Sequence, residues 1–186
     1  MSLEYTPNKQ KIIETILWFL HRSQRTDIHS ILKEIFYADK VHLQRYSRPV
    51  TGDYFIKMNY GPVASHAYDL LKGNRLSEYV RKQRFTSDIF EDAIRAFDTR
   101  DQYCIKPLRG PDLDYFSGTD LECMQVALEQ CNGKSFETLV AITHDELSWK
   151  NAQLDQRMAF EDFIEEREDK EEYLEYLRES AECLAL

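Results

Sequence analysis

No two of the four cysteines, Cys104, Cys123, Cys131 and Cys183, stand in a C-x-x-C pair. That spacing argues against a zinc ribbon and against a disulfide framework, and reduced thiols in a cytoplasm are the expected state. No apolar run approaches the length that crosses a bilayer, and the N-terminus lacks the pattern of a secretory signal. The H-E-x-x-H and G-x-S-x-G patterns are missing, so neither a metalloprotease helix nor a nucleophile elbow is present. The "YGPV" step at Tyr60–Val63 has one glycine and no lysine or serine, which leaves phosphate cradling unsupported.

An excess of positive charge is lacking as well. The 186 residues carry a net charge of −9, which is a poor starting point for nonspecific nucleic-acid binding. The charge is unevenly placed. Residues 161–186 hold 11 acidic and 3 basic side chains, against 22 and 21 in the first 160. A balanced body with an acidic tail suits solubility, or attraction to a basic partner. The basic cluster Arg81-Lys82-x-Arg84 is flanked by acids and reads as a solvated helix face more readily than as a phosphate contact.

What is present is helical periodicity. The length fits one domain better than two. Thr6 and Pro7 are expected to cap and open a first helix, whose stripe is Ile12, Ile13, Ile16, Leu17 and Leu20. A second helix starts near Asp27 with Ile28, Ile31, Leu32, Ile35, Phe36, Leu43 and Tyr46 on one face. Asp39 falls in the middle of that stripe, where a leucine would be ordinary. A short strand is expected over 54–58 after a Gly52-Asp53 turn, then a third helix opened by Pro62 and ended at Gly73. Residues 75–98 read as helix first, with a hairpin near 94–106 around Thr99-Arg100. Ser117-x-x-Asp120 and Thr143-His144-Asp145-Glu146 both read as capping boxes, and Ser135 opens a short helix between them. The expected fold is mainly α, a single compact helical domain over 1–154 with a small antiparallel β element. An acidic amphipathic helical tail over 155–186 follows, with Tyr173, Leu174, Leu177, Ala181 and Leu184 on its apolar face.

A metal reading would gather Asp39, His42, Asp53, His66 and His144, but none of the known ligand spacings occurs among them. No metal, cofactor or catalytic residue is expected. A carboxylate facing a core costs several kcal/mol, roughly, unless it is hydrogen-bonded. Asp39 therefore reads as an anchor for the following loop. Backbone N–H groups near Thr51-Gly52, the Tyr60 hydroxyl and His42 are the available partners.

The stretch "EIFYADKVHLQRYSRPVTGDYFIKMNYGPVASHAYDLL" resembles the signature of the Panacea antitoxin domain family, also called SocA-like or phage-associated GepA-like. The matching residues include Tyr37, Asp39, Gly52, Asp53, Tyr60, Gly61 and Pro62. "FSGTDLECMQVALEQCNGKSFETLVAITHDELSW", ending at Trp149, is similar to the family's second half, and the likeness runs roughly from Ile12 to Trp149. The resemblance implies a small, mostly helical cytoplasmic protein of bacteria or phages. It would bind and neutralise a protein toxin encoded by an adjacent gene, and the charge asymmetry suggests a basic one. It implies no catalytic residues. The signature residues would be scaffold, and Tyr173, Tyr176 and Leu177 in the tail are candidate partner contacts. No membrane contact is expected. A DNA-binding regulator of winged-helix type is the alternative, and it would need a basic stripe on one helix.

Overall fold

A computed structural model describes residues 2–165 and 168–184; the side chains of 182–184, Leu184 and Cys183 among them, lie outside the described residues. The chain runs α1 (Lys9–Leu20), α2 (Ile28–Tyr46), β1 (Phe55–Met58), β2 (Gly61–Ala64), α3 (Ser65–Lys72), α4 (Glu78–Arg84), α5 (Ser87–Ala96), β3 (Phe97–Asp98) and β4 (Lys106–Pro107). It continues through α6 (Gly118–Cys131), α7 (Phe136–His144), α8 (Leu147–Asn151), a 3₁₀ turn at Phe160–Phe163, and α9 (Lys170–Leu184). The fold is mainly α and compact, with two small antiparallel two-stranded sheets among the described residues. The second sheet, Phe97–Asp98 against Lys106–Pro107, is the hairpin expected near 94–106, shortened to two residues a side.

The core is organised around α2. Asp27 caps it by accepting the Ser30 N–H at 3.0 Å, and Ser47 in the left-handed region ends it. It packs on α6, β2, α1, α7 and α3 together. A helix so enclosed cannot be amphipathic in the ordinary way. Ile31, Leu32, Ile35, Phe36, Tyr37, Ala38 and Leu43 are buried, and so are Lys33, Glu34, Asp39, Lys40 and His42. Each of those five polar side chains reaches a different peripheral segment. Lys33 Nζ donates to the Pro62 carbonyl at 2.9 Å, and Glu34 accepts from Ser23 at 2.8 Å. Asp39 accepts from Thr51, and Lys40 pairs with Glu146 at 2.6 Å. His42 meets the Arg48 carbonyl at 2.7 Å and Thr119 Oγ1 at 3.1 Å. The apolar face supplies most of the stabilisation, and the buried polar groups fix which segment goes where.

Three sequence expectations are corrected. The first helix is capped by Asn8, whose side chain accepts the Lys11 N–H at 3.0 Å. Thr6 and Pro7 precede it because Asn8 N–H is tied to the Thr51 carbonyl at 3.0 Å, which holds the entering chain against the 50–53 loop. Pro62 lies in β2, opposite Lys57, and the third helix begins at Ser65. The Pro62 carbonyl points away from β1 to Lys33, so its missing N–H costs the ladder nothing. Thr143 to Glu146 is no capping box. Thr143 sits inside α7, its hydroxyl bonded back to Leu139 O at 2.8 Å, and Glu146 is drawn to Lys40. The Ser117–Asp120 box is formed in full, and Ser135 caps α7.

The tail returns to the body. Leu177 is fully buried and Ala181 nearly so, while Tyr173 Oη donates to the Leu43 carbonyl at 3.0 Å at the end of α2.

Candidate functional site

The signature residues form a buried relay and a second packed set around the β1–β2 hairpin, with Tyr60 exposed on an open groove. The relay begins at Asp39, which is 0% exposed. Its carboxylate accepts the Thr51 N–H at 2.8 Å and the Thr51 hydroxyl at 2.6 Å. Of the three partners the sequence offered, Thr51 is the one used; Tyr60 is 61% exposed and His42 turns to Arg48 and Thr119. Thr51 Oγ1 in turn accepts the Asp53 N–H at 3.1 Å. Asp53 then caps α3, accepting from His66 N at 3.0 Å, His66 Nδ1 at 2.8 Å and Ala67 N at 2.9 Å. Ala64, at the helix's own N-cap position, has no side-chain acceptor, and Asp53 supplies the cap from the loop instead. Gly52, at φ +70, makes the turn between the two acids, and a Cβ there would stand 2.9 Å from the Thr6 carbonyl. The relay thus fixes α2, the loop and α3 to one another through two fully buried carboxylates. Burial pushes the Asp39 carboxyl up to about 7, against the pull of its two bonds from Thr51.

The other half of the signature closes over the same hub. Gly61, at φ +98, has no room for a side chain: a Cβ would collide with Thr143 Oγ1 and stand 3.0 Å from Lys33 Cε. Tyr37 is buried against Phe36. Trp149 donates Nε1 to the Met58 carbonyl at 3.2 Å, stacks on His144 at 3.7 Å and lies under the Lys57 ammonium at 4.0 Å. It therefore pins the end of the β1–β2 hairpin. His42 belongs to a separate cluster around Asp120, which also meets Lys11 at 2.8 Å and Arg48 at 2.9 Å. Burial works against ionisation there, yet Arg48 and Lys11 hold Asp120 down at about 2. Of the five metal candidates Asp53 and His66 meet, Asp39 reaches them only through Thr51, and His42 and His144 lie in other clusters; among the described residues no group of three such side chains is placed to hold an ion.

The open feature was not legible in the sequence. A cavity of about 670 Å³ lies between the first turns of α2, the outer face of the hairpin, α3 and the start of α7. Met58, Tyr60, Val63, Tyr68, Tyr103 and Phe136 line it, with Lys33 and His29 beside them. Tyr60 and Tyr103 are 61% and 77% exposed at its rim. Aromatic and methionine side chains in this setting are the usual makings of a binding surface. The signal that would have found it is the exposed tyrosine on either hairpin, at positions 60 and 103, and no spacing rule brings those two together.

Two surfaces named from sequence are also placed. In the basic cluster, Arg84 is held by Asp69, Tyr54 and Ser65, Lys82 pairs with Glu78 at 2.7 Å, and Arg81 lies over the Phe90 ring. These side chains do not make the basic stripe that a DNA-reading helix requires. In the tail, Tyr176 is 54% exposed, Tyr173 is partly buried and Leu177 is in the core. Glu171, Glu172, Glu175 and Glu179 are exposed on α9 beside Tyr176.

The geometry defines a helical scaffold, in which buried acids and tight glycines lock one central helix to its neighbours. The family model of the antitoxin SocA-like Panacea domain matches residues 31–150, well over half of the chain, and the protein belongs to that family. The match begins on α2 and ends on α8, so it spans the relay and the hairpin but not α1 or the tail. No curated protein and no solved structure matches the chain.

Proposed function

We propose that this protein is an antitoxin that binds a cognate protein toxin and neutralises it without catalysis. Family membership supports a toxin as the partner. The observation that carries the reading is the division of the signature into buried structural links, which hold a scaffold rigid while leaving partner-facing surface free to differ. The toxin is basic on this reading, encoded beside the antitoxin and met in the cytoplasm. The exposed acids of α9, grouped around Tyr176, supply the attraction, while Tyr173 and Leu177 seat the helix on the body. The hub over 1–154 and the tail over 155–186 then divide the work between scaffold and steering. The test is co-expression with the neighbouring gene. Growth arrest caused by that gene's product and relieved by this chain supports the proposal; arrest that persists at matched expression rejects it.

A further inference from the structure

The cavity beside the hairpin contains an arrangement on which the proposed role of the α9 acids does not draw. Lys33 lines it and is 1% exposed, yet among the described residues its ammonium makes one hydrogen bond, to the Pro62 carbonyl, and no carboxylate pairs with it. The buried acids on the same stretch of α2 and its cap are bonded elsewhere: Asp27 to Arg25 at 3.1 Å and to Ser30, and Glu34 to Ser23. An unpaired cation under an apolar roof is costly, and burial accordingly pushes Lys33 down to about 7. His29 adds a second unmatched group. Its Nε2 faces the Tyr60 carbonyl at 3.1 Å and so carries the proton, which leaves Nδ1 a buried acceptor with no partner among the described residues. Burial, and then the charge of Lys33, hold His29 at about 4, so it stays neutral and adds no second positive charge beside Lys33. The rest of the lining is mostly apolar, Tyr60, Val63, Tyr68 and Phe136 among it, with the mutually paired Arg25 and Asp27 and the polar Gln102 beside them, and the cavity of about 670 Å³ lies inside the range of small-ligand pockets.

We propose that this cavity binds a small amphiphilic anion, with its apolar ring or chain among Tyr60, Val63, Tyr68 and Phe136 and its carboxylate paired to Lys33. The anion supplies the counter-charge that the fold withholds, and the desolvated pair is stronger than the same pair in water. The commitment to a small anion rests on that charge complementarity and on the size of the cavity. A purely apolar protein segment would leave Lys33 unmatched.

The probes are 2-naphthoate and its neutral isostere 2-naphthamide, titrated into the full chain near pH 6, where the carboxylate is ionised and Lys33 is charged. The carboxylate is expected to bind one per chain and about tenfold more tightly than the amide. Lys33→Met removes the charge and relieves a buried cation but leaves the Pro62 carbonyl without its donor, so its melt is checked first; in the folded variant the two affinities should come together, and Val63→Phe carries the test if it does not fold. Val63→Phe narrows the cavity and should weaken both probes by a similar factor. Equal affinities for the two probes in the unmodified chain overturn the proposal and leave the cavity as a neutral docking surface. No binding of the carboxylate overturns it as well, as does a preference that survives Lys33→Met or affinities that Val63→Phe leaves unchanged.

Discussion

Replacing Asp39 with leucine tests the relay that joins α2 to α3. By pattern the substitution looks favourable, since it completes the apolar stripe. By structure it strands two buried donors, the Thr51 N–H and hydroxyl, which lie 2.8 and 2.6 Å from the carboxylate. Each stranded donor costs about 1–3 kcal/mol, so the loss is roughly 2–4 kcal/mol once the gain in apolar burial is set against it. The ionisation of Asp39 gives this a pH signature. Its folded-state pKa is raised from 3.8 to about 7. The folded state therefore binds the proton more tightly than the unfolded state. The stabilising contribution is complete below the unfolded value and is lost as pH rises through the folded one. At about 1.4 kcal/mol per pH unit, the wild type forfeits on the order of 3 kcal/mol at this site between pH 5 and pH 8, and the variant forfeits none. Asp39→Leu should therefore lower the denaturant midpoint clearly at pH 5 and by much less at pH 8, with other titrating groups cancelling in the difference. Thr51→Val should reproduce much of the effect, and the double variant should fall short of the sum. An unchanged or higher midpoint at pH 5 would refute the anchoring role.

Gly61→Ala should lower the melting temperature by several degrees, because the new Cβ meets Thr143 and Lys33 at a backbone angle L-residues avoid; an unchanged melt would show that the hairpin shifts freely on α2. Deleting the chain after Asp155 should lower thermal stability, since Leu177 and Ala181 leave the core. Changing Glu171, Glu172, Glu175 and Glu179 to glutamine should spare stability but slow association with the toxin and flatten its salt dependence; equal rates at two salt concentrations would remove the steering role. Elemental analysis of the purified protein should find no stoichiometric metal, and about one zinc or iron per chain would contradict the non-catalytic reading.

Much of the frame was legible in the sequence because it rests on local rules. Asp27, Ser117 and Ser135 cap their helices as their types and spacing suggest. Asp39 was visible as a broken rule in an apolar stripe, and the loop that satisfies it was among its expected partners. The failures share one cause, a tertiary partner overriding a local preference. Lys40 takes Glu146 away from a capping box, Lys33 takes the Pro62 carbonyl and keeps that residue in a strand, and Thr51 takes the Asn8 N–H and shifts the start of α1. Lys33, Glu34 and Lys40 of α2 drew no attention in the sequence. They are links of an enclosed helix, and periodicity alone cannot separate such links from a solvent face. The cavity was invisible for a related reason: its walls come from α2, the hairpin and α3, the 102–103 segment and α7, which only the folded chain brings together.

The most direct test is to mix the purified chain with the purified product of the gene beside it and measure complex formation. The account predicts a stable complex whose association rate falls as salt is raised, and whose formation abolishes the toxic activity. Absence of a complex at micromolar concentrations, with both proteins folded, would contradict it.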